Sequence, residues 1–317
     1  MPEGHTLHRL AAQMHRLFAG QQWRVSSPQG RFTAGAARLD GEVPERAEAW
    51  GKHLFLHVDG VIWQVHLGLY GAFSFRGDEQ FAGPASIGAP RAAVEQLQPS
   101  YAEDGWIIPE PAAGAVRARV QSRHGWADLR GPATCAVITE DEYHTVIAKL
   151  GPDPLRQPEG TVDDCARGQF ASNLARRRIS IAAALMDQAV IAGVGNIYRA
   201  ESLFVERIDP DTPAQQLRPR QIDSLWNTLT TQLRQGYEEG VIRTLRTAHS
   251  SAATGDDVHD YRAGHAAQQN QQLRRHSVYQ HHNTACLRCG AAIAMRELQG
   301  RRLYWCPGCQ DNSRSQA

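Results

Sequence analysis

Residues 286–309 read CLRCGAAIAMRELQGRRLYWCPGC: two C-x2-C pairs, Cys286/Cys289 and Cys306/Cys309, with 16 residues between them. Each pair can bend back as a tight knuckle that presents two thiolates, and the intervening stretch suits a hairpin. Four sulfurs then close a tetrahedron around one Zn²⁺ ion, and because every position is filled the expected site is structural. The alternative is four unrelated thiols in a reducing compartment, which the doubled spacing argues against. Cys135 and Cys165 have no such partners and read as small buried apolar residues.

Upstream of the cysteine hairpin, residues 246–276 are polar, rich in Gln, His, Ala and Ser, and without an apolar period. They read as a loop that is mobile or orders against a partner. From 151-GPDP-154 to that loop the pattern is helical, with apolar residues across 179–186, then Ile197, Ala200 and Phe204, then Ile222, Leu225, Trp226, Leu229 and Leu233. The glycines of 192-AGVGN-196 permit a tight reversal between two of these helices. Residues 23–139 instead carry short β-rich runs, including 54-LFLHV-58 and 61-VIWQVHL-67 joined by Asp59-Gly60, a hairpin signal. Further strands are expected at 72–75, 116–121 and 134–138. Leu7, Leu10, Ala11, Met14, Leu17 and Phe18 recur at helical spacing and Gly20 follows as a stop, so a helix is expected over 4–19.

The expected fold class is α+β and multidomain. Residues 1–139 form a β-sandwich with flanking helices, 140–155 a linker, 156–275 an all-helical domain and 276–317 the zinc hairpin. With 42% apolar and 21% charged residues the chain is neither disordered nor fibrous. Its longest near-apolar stretches fall far short of the roughly 20 residues that cross a bilayer, and no basic-then-apolar leader opens it, so a soluble cytoplasmic protein is expected. The net charge of +1 does not by itself imply a polyanionic partner, but residues 1–154 carry 14 basic against 17 acidic side chains and residues 155–317 carry 20 against 16. A polyanion should lean on the second half. Only Lys52 and Lys149 are lysines among 34 basic residues, which singles both out.

The chain opens Met1-Pro2-Glu3-Gly4. Removal of Met1 before the small Pro2 leaves a free secondary amine, whose reference pKa near 8 makes it a potential nucleophile. The helix just behind it would lower that pKa and favour a nearby phosphate.

Pro2-Glu3-Gly4, Gly51-Lys52, 66-HLGLYG-71, Gly151-Pro152-Asp153, 193-GVGNIYRAE-201 and 301-RRLYWCPGCQ-310 together resemble the formamidopyrimidine-DNA glycosylase and endonuclease VIII family of base-excision repair enzymes. The resemblance spans nearly the whole chain and is greatest to the actinobacterial endonuclease VIII-like branch that begins Pro-Glu-Gly-His-Thr. It implies a helix–two-turns–helix domain in the middle of the chain and damaged DNA as partner, whether duplex, bubble or single-stranded. It also implies a monomer at the nucleoid, and no cofactor beyond the zinc.

By the same resemblance, Pro2 is the Schiff-base nucleophile at the deoxyribose C1′. Glu3 is the proton donor, and Lys52 a proton donor and phosphate contact. Arg301 on the zinc hairpin grips phosphate during δ-elimination, with Arg302 beside it as the alternative. Leu69 and Tyr70 enter the emptied base stack, Asn196 contacts phosphate, and Arg130 reads the opposite base. The expected activity is a glycosylase and abasic-site lyase that favours oxidised pyrimidines. Each role has a plainer rival: Glu3 as an ordinary helix N-terminal acid, Leu69 and Tyr70 as core, Asn196 as an N-cap. Where the family often carries Pro-Glu after residue 4, this chain has His5-Thr6, which removes a carboxylate near the nucleophile. That change leaves a non-catalytic or weakly active protein that binds damaged DNA or abasic sites as the alternative function. A metal hydrolase would need a ligand set such as H-E-x-x-H, which is absent from the sequence.

Overall fold

The computed structural model describes residues 2–89, 99–156, 164–245 and 274–311. The chain divides into two compact units, Met1–Ala166 with Gln188–Val194, and Arg167–Asp187 with Gly195–Ala317.

In the first unit, α1 (Gly4–Phe18) buries Leu7, Leu10, Met14, Leu17 and Phe18 along one stripe and stops at Gly20, where φ is 76°. β1 (Arg24–Ser26) and α2 (Thr33–Leu39) follow. α2 lies within a stretch expected to be β-rich; at seven residues it is too short for its periodicity to be read, and packing of Ala36 and Leu39 holds it. β2 (Pro44–Trp50), β3 (His53–Val58) and β4 (Val61–His66) form a meander. Asp59 and Gly60 both take positive φ, 43° and 72°, between the paired Val58 and Val61, the geometry that twisted hairpins require. β5 (Ala72–Gly77), β6 (Ser86–Gly88), β7 (Val116–Gln121), β8 (Gly125–Arg130) and β9 (Thr134–Ile138) complete two sheets, ordered β1-β7-β8-β5-β6 and β2-β3-β4-β9.

Alternate residues point inward: Leu54, Leu56, Val58, Trp63 and Val65 from one sheet share a core with Phe73, Phe75, Val120 and Leu129 from the other. This is the expected β-sandwich. Phe32 stacks on Trp63 and Trp23 meets it edge-on, while Trp23 Nε1 donates to Leu39 O at 2.7 Å. Each buried side chain of this size contributes about 1.5–3 kcal/mol. On the opposite face of β3 and β4, α3 (Glu140–Ile147) packs Tyr143 edge-on against Phe55. A reciprocal capping box between Thr139 and Glu142 starts this helix.

The second unit contains most of α4 (Asp164–Ala175), then α5 (Ile181–Ala184), α6 (Asn196–Val205) and α7 (Pro219–Glu239). Phe170 of α4 meets Trp226 of α7 at 5.4 Å between ring centroids, and Leu225, Leu229 and Leu233 are fully buried on the same stripe. β10 (Ala294–Leu298) and β11 (Arg301–Trp305) pair through a Gln299-Gly300 turn. Cys165 is exposed on α4, contrary to the buried reading, because it comes before Phe170 at a spacing that turns it off the face of Phe170, Asn173 and Leu174; Cys135 on β9 is half-buried. The loop expected over 246–276 lies outside the described residues except at 274–276. No described helix is long and apolar enough to cross a membrane.

Candidate active site

Residues 188–194 belong to the first unit and bring distant segments together there. Gln188 folds the loop on itself, its Oε1 accepting from Gly193 N and its Nε2 donating to Val194 O, both at 3.0 Å. Gly151 N donates to Gln188 O at 2.8 Å, and Ala192 N to Pro152 O at 3.0 Å. The start of α1 docks on the same loop, Gly4 N donating to Gly193 O at 2.8 Å. A Cβ on Gly4 would stand 2.7 Å from Gly193 Cα, so this approach is closed to any side chain.

Lys52 Nζ donates to Val194 O at 2.7 Å. The ammonium and the first residues of α1 therefore sit on adjacent residues of one loop. Pro2 is buried, and Glu3 is fully buried at the N-cap position with an extended backbone and no side-chain cap bond, unlike an ordinary capping acid. His5 and Thr6, which replace the expected second carboxylate pattern, are also buried, with Thr6 Oγ1 3.2 Å from His5 Nε2. Burial, followed by the nearby Arg9 charge, pulls His5 down to about 3. The imidazole is thus neutral where a carboxylate would be anionic.

Asp153, named in the sequence only as part of a motif, lies beneath this arrangement. Its Oδ2 accepts from Gly51 N at 2.7 Å and His8 Nε2 at 2.8 Å, and its Oδ1 accepts from Leu155 N at 2.9 Å. Burial alone would raise this carboxyl, but His8 and the two backbone donors hold it below the usual carboxylate range.

The turn after β4 carries Leu69 and Tyr70 at 46% and 77% exposure, so they are not core. Gly71 N closes this turn on Leu67 O at 2.9 Å, and Gly68 N donates to His66 Nδ1 at 3.1 Å. His66 pairs in register with His53, their rings 4.9 Å apart. Burial, then His66 and Lys52, brings His53 down to about 4, and burial with the Lys52 charge also lowers His66. Both imidazoles are thereby biased to the neutral form beside the Lys52 ammonium. Arg130, at the end of β8, is engaged by Asp128 at 2.9 Å and Ser74 Oγ at 2.8 Å.

In the second unit the Sγ atoms of Cys286, Cys289, Cys306 and Cys309 all lie within 4.8 Å of one another. Four thiol donors at this separation can hold one metal ion. Gln310 anchors the second knuckle, its Oε1 accepting from Cys306 N at 2.8 Å and its Nε2 donating to Ile208 O at 3.0 Å. Arg301 is half-buried and Arg302 exposed on β11. Asn196, the first residue of α6, donates through Nδ2 to Arg302 O at 3.0 Å and pairs through Oδ1 with the fully buried Arg199. Buried Glu201 accepts from the backbone N–H groups of Ser277, Val278 and Tyr279 and from Thr244 Oγ1.

The structure thus gathers Pro2, Glu3 and Lys52 in one unit, and Asn196, Arg301, Arg302 and the four cysteines in the other. His8 and Gln188 carried no local signal in the sequence, whereas Arg199 and Gln310 stood inside the motifs at 193–201 and 301–310 without a role of their own. Asp153 and Glu201 stood inside quoted motifs, but their roles depend on donors far away in the chain.

Residues 1–100 match the formamidopyrimidine-DNA glycosylase N-terminal domain and residues 150–247 the formamidopyrimidine-DNA glycosylase H2TH domain. The chain is 41% identical over 314 residues to Endonuclease 8 1 of Mycobacterium tuberculosis, covering 98% of this chain and 100% of that protein. It is 28% identical over 332 residues to the formamidopyrimidine-DNA glycosylase of Parasynechococcus marenigrum, covering 98% and 99%. The fold is similar to Lactococcus lactis formamidopyrimidine-DNA glycosylase non-covalently bound to DNA containing an abasic site, with a TM-score of 0.67, 20% identity, and coverage of 98% of this chain and 100% of that one. The chain belongs to the formamidopyrimidine-DNA glycosylase and endonuclease VIII family of base-excision repair DNA glycosylases.

Proposed function

We propose that this protein is a bifunctional DNA glycosylase and abasic-site lyase that acts through the amine of Pro2 once Met1 is removed. The observation that carries the reading is the docking of Gly4 on Gly193 and of Lys52 on Val194 of the same loop. This sets the Lys52 ammonium and the start of α1, next to the buried Glu3, on adjacent residues of one loop. The Pro2 nitrogen attacks C1′ and the C1′–base bond breaks, its electrons leaving on the base, which takes up the proton lost from the Pro2 amine; the C1′–O4′ bond then breaks and the opened sugar becomes an iminium. Glu3 protonates the sugar ring oxygen as it opens. The iminium takes up the electrons released when the C2′ proton departs, and the 3′ phosphate and then the 5′ phosphate are expelled. Lys52 contacts phosphate beside the lesion, and the positive end of α1 favours the same charge.

Leu69 and Tyr70 fill the gap left by the everted nucleotide, a role suited to exposed apolar and aromatic side chains on a tight turn. Asn196 orders the β11 backbone beside Arg301 and Arg302, which take phosphate. Arg130, turned toward Ser74 and Asp128, reads the opposite base only after releasing those partners. The four cysteines hold one zinc, which braces the hairpin and takes no part in bond cleavage. The substrates are oxidised bases in duplex DNA at the nucleoid, pyrimidines ahead of 8-oxoguanine, and the protein acts as a monomer.

The test is strand cleavage of duplexes that carry one oxidised pyrimidine or one 8-oxoguanine, with bubble and single-stranded versions alongside. A one-nucleotide gap flanked by phosphates is expected on the pyrimidine duplex, with a loss of about 10²–10⁴-fold in Glu3→Gln. Binding to these DNAs without cleavage would instead indicate a damage-binding protein.

A further inference from the structure

We propose that Asp153, with His8, is a positioning residue for the reaction: it joins the helix that follows the nucleophile to the turn bearing Lys52. The inference rests on the reading of Pro2 and Lys52 given above. α1 presents His8 one turn beyond Gly4, and its Nε2 reaches Asp153 Oδ2; the same oxygen takes Gly51 N, the residue before Lys52. The other oxygen takes Leu155 N. Asp153 is 4% exposed, so water does not substitute for these partners.

The three donors make a carboxylate necessary. An amide in its place has one oxygen and one NH₂ group. With the NH₂ in the Oδ2 position it faces the Gly51 N–H; with the NH₂ in the Oδ1 position it faces the Leu155 N–H. Either orientation sets donor against donor. Backbone that cannot keep its acceptor shifts, and the residue coupled directly to that backbone is Lys52. His8 has the complementary role: it needs an N–H toward Asp153, which a glutamine amide also offers and a leucine does not.

The experiment measures single-turnover borohydride trapping on a preformed abasic-site duplex, with full-length protein bearing a free Pro2 amine. DNA binding and thermal unfolding are followed in parallel. In Asp153→Asn, trapping should slow by about 100-fold while DNA binding persists, the cost of a displacement near 1 Å at a reacting centre. His8→Leu should slow it by about tenfold, and His8→Gln should trap at close to the unsubstituted rate. Should Asp153→Asn fail to fold, the His8 pair decides: equal rates for leucine and glutamine overturn the proposal. Undiminished trapping by folded Asp153→Asn also overturns it. No adduct with the unsubstituted protein would remove the nucleophile reading itself, and this inference with it.

Discussion

The cysteine hairpin and the start of α1 are both held at close range, but by partners at opposite distances in sequence. Each knuckle of the hairpin is local: Cys286 and Cys289 are three residues apart, as are Cys306 and Cys309, and the strands between them pair in simple register. The helix start is held by Gly193, and Gly51 beside Lys52 is held by Asp153, more than a hundred residues away. Local constraint leaves a spacing in the sequence. Long-range docking leaves only a glycine or an acid whose partner cannot be named without the fold.

Cys306→Ser breaks the local side of this contrast and should have the largest effect. Metal content measured by atomic absorption should fall from about one ion per chain, because a four-thiolate site tolerates no vacancy, and hairpin order and DNA affinity should fall with it. Gly4→Ala breaks the long-range side. Its new methyl meets the Gly193 backbone, and a loss of about 1–3 kcal/mol is expected in denaturant unfolding. Gly168→Ala on α4 is the control: its Cβ would enter open space, so a gain of about 0.5–1 kcal/mol is expected from helix propensity. Equal effects at both glycines would contradict the docking account.

A smaller effect should come from pH. The Glu48 carboxyl accepts from His57, Tyr143 and Arg156, and the His57 bond first among these holds it down at about 2 against an ordinary 4.5. Its folded value is depressed, so its contribution to stability is complete above the ordinary value and disappears as pH falls toward about 2. Glu48→Gln should therefore flatten urea unfolding midpoints measured across that acid range. The smallest structural effect is expected at Tyr70→Ala, within about 0.5 kcal/mol of the unsubstituted protein, because the ring is 77% exposed. Activity on duplex lesions should fall nonetheless, and gap-filling predicts a smaller loss on bubble DNA.

Much of the fold was legible because its elements announce themselves by period: the stripe of α1, the Asp59-Gly60 hairpin and the strands near 72, 116 and 134. α2 was not, since tertiary packing stabilises a helix too short to show a period. The capping box of α3 was visible as Thr139 and Glu142 yet straddled the boundary between the span read as sandwich, ending at 139, and the span read as linker, starting at 140. At the site, the roles of Pro2, Glu3 and Lys52 were named from their resemblance to a family, whereas Asp153 and Glu201 became meaningful only as acceptors for distant backbone, and Gln188 only as the clamp of its own loop.

The central claim is that the Pro2 amine, held against Lys52's corner, is the nucleophile. Borohydride trapping on an abasic-site oligonucleotide tests it most directly, using protein whose N-terminal processing has been verified by mass beside protein with a blocked N-terminus and Pro2→Gly. The account predicts a covalent protein–DNA adduct with the free Pro2 amine and none with the blocked chain. An adduct of equal yield from the blocked protein, or none from the free one while DNA binding is intact, would contradict it.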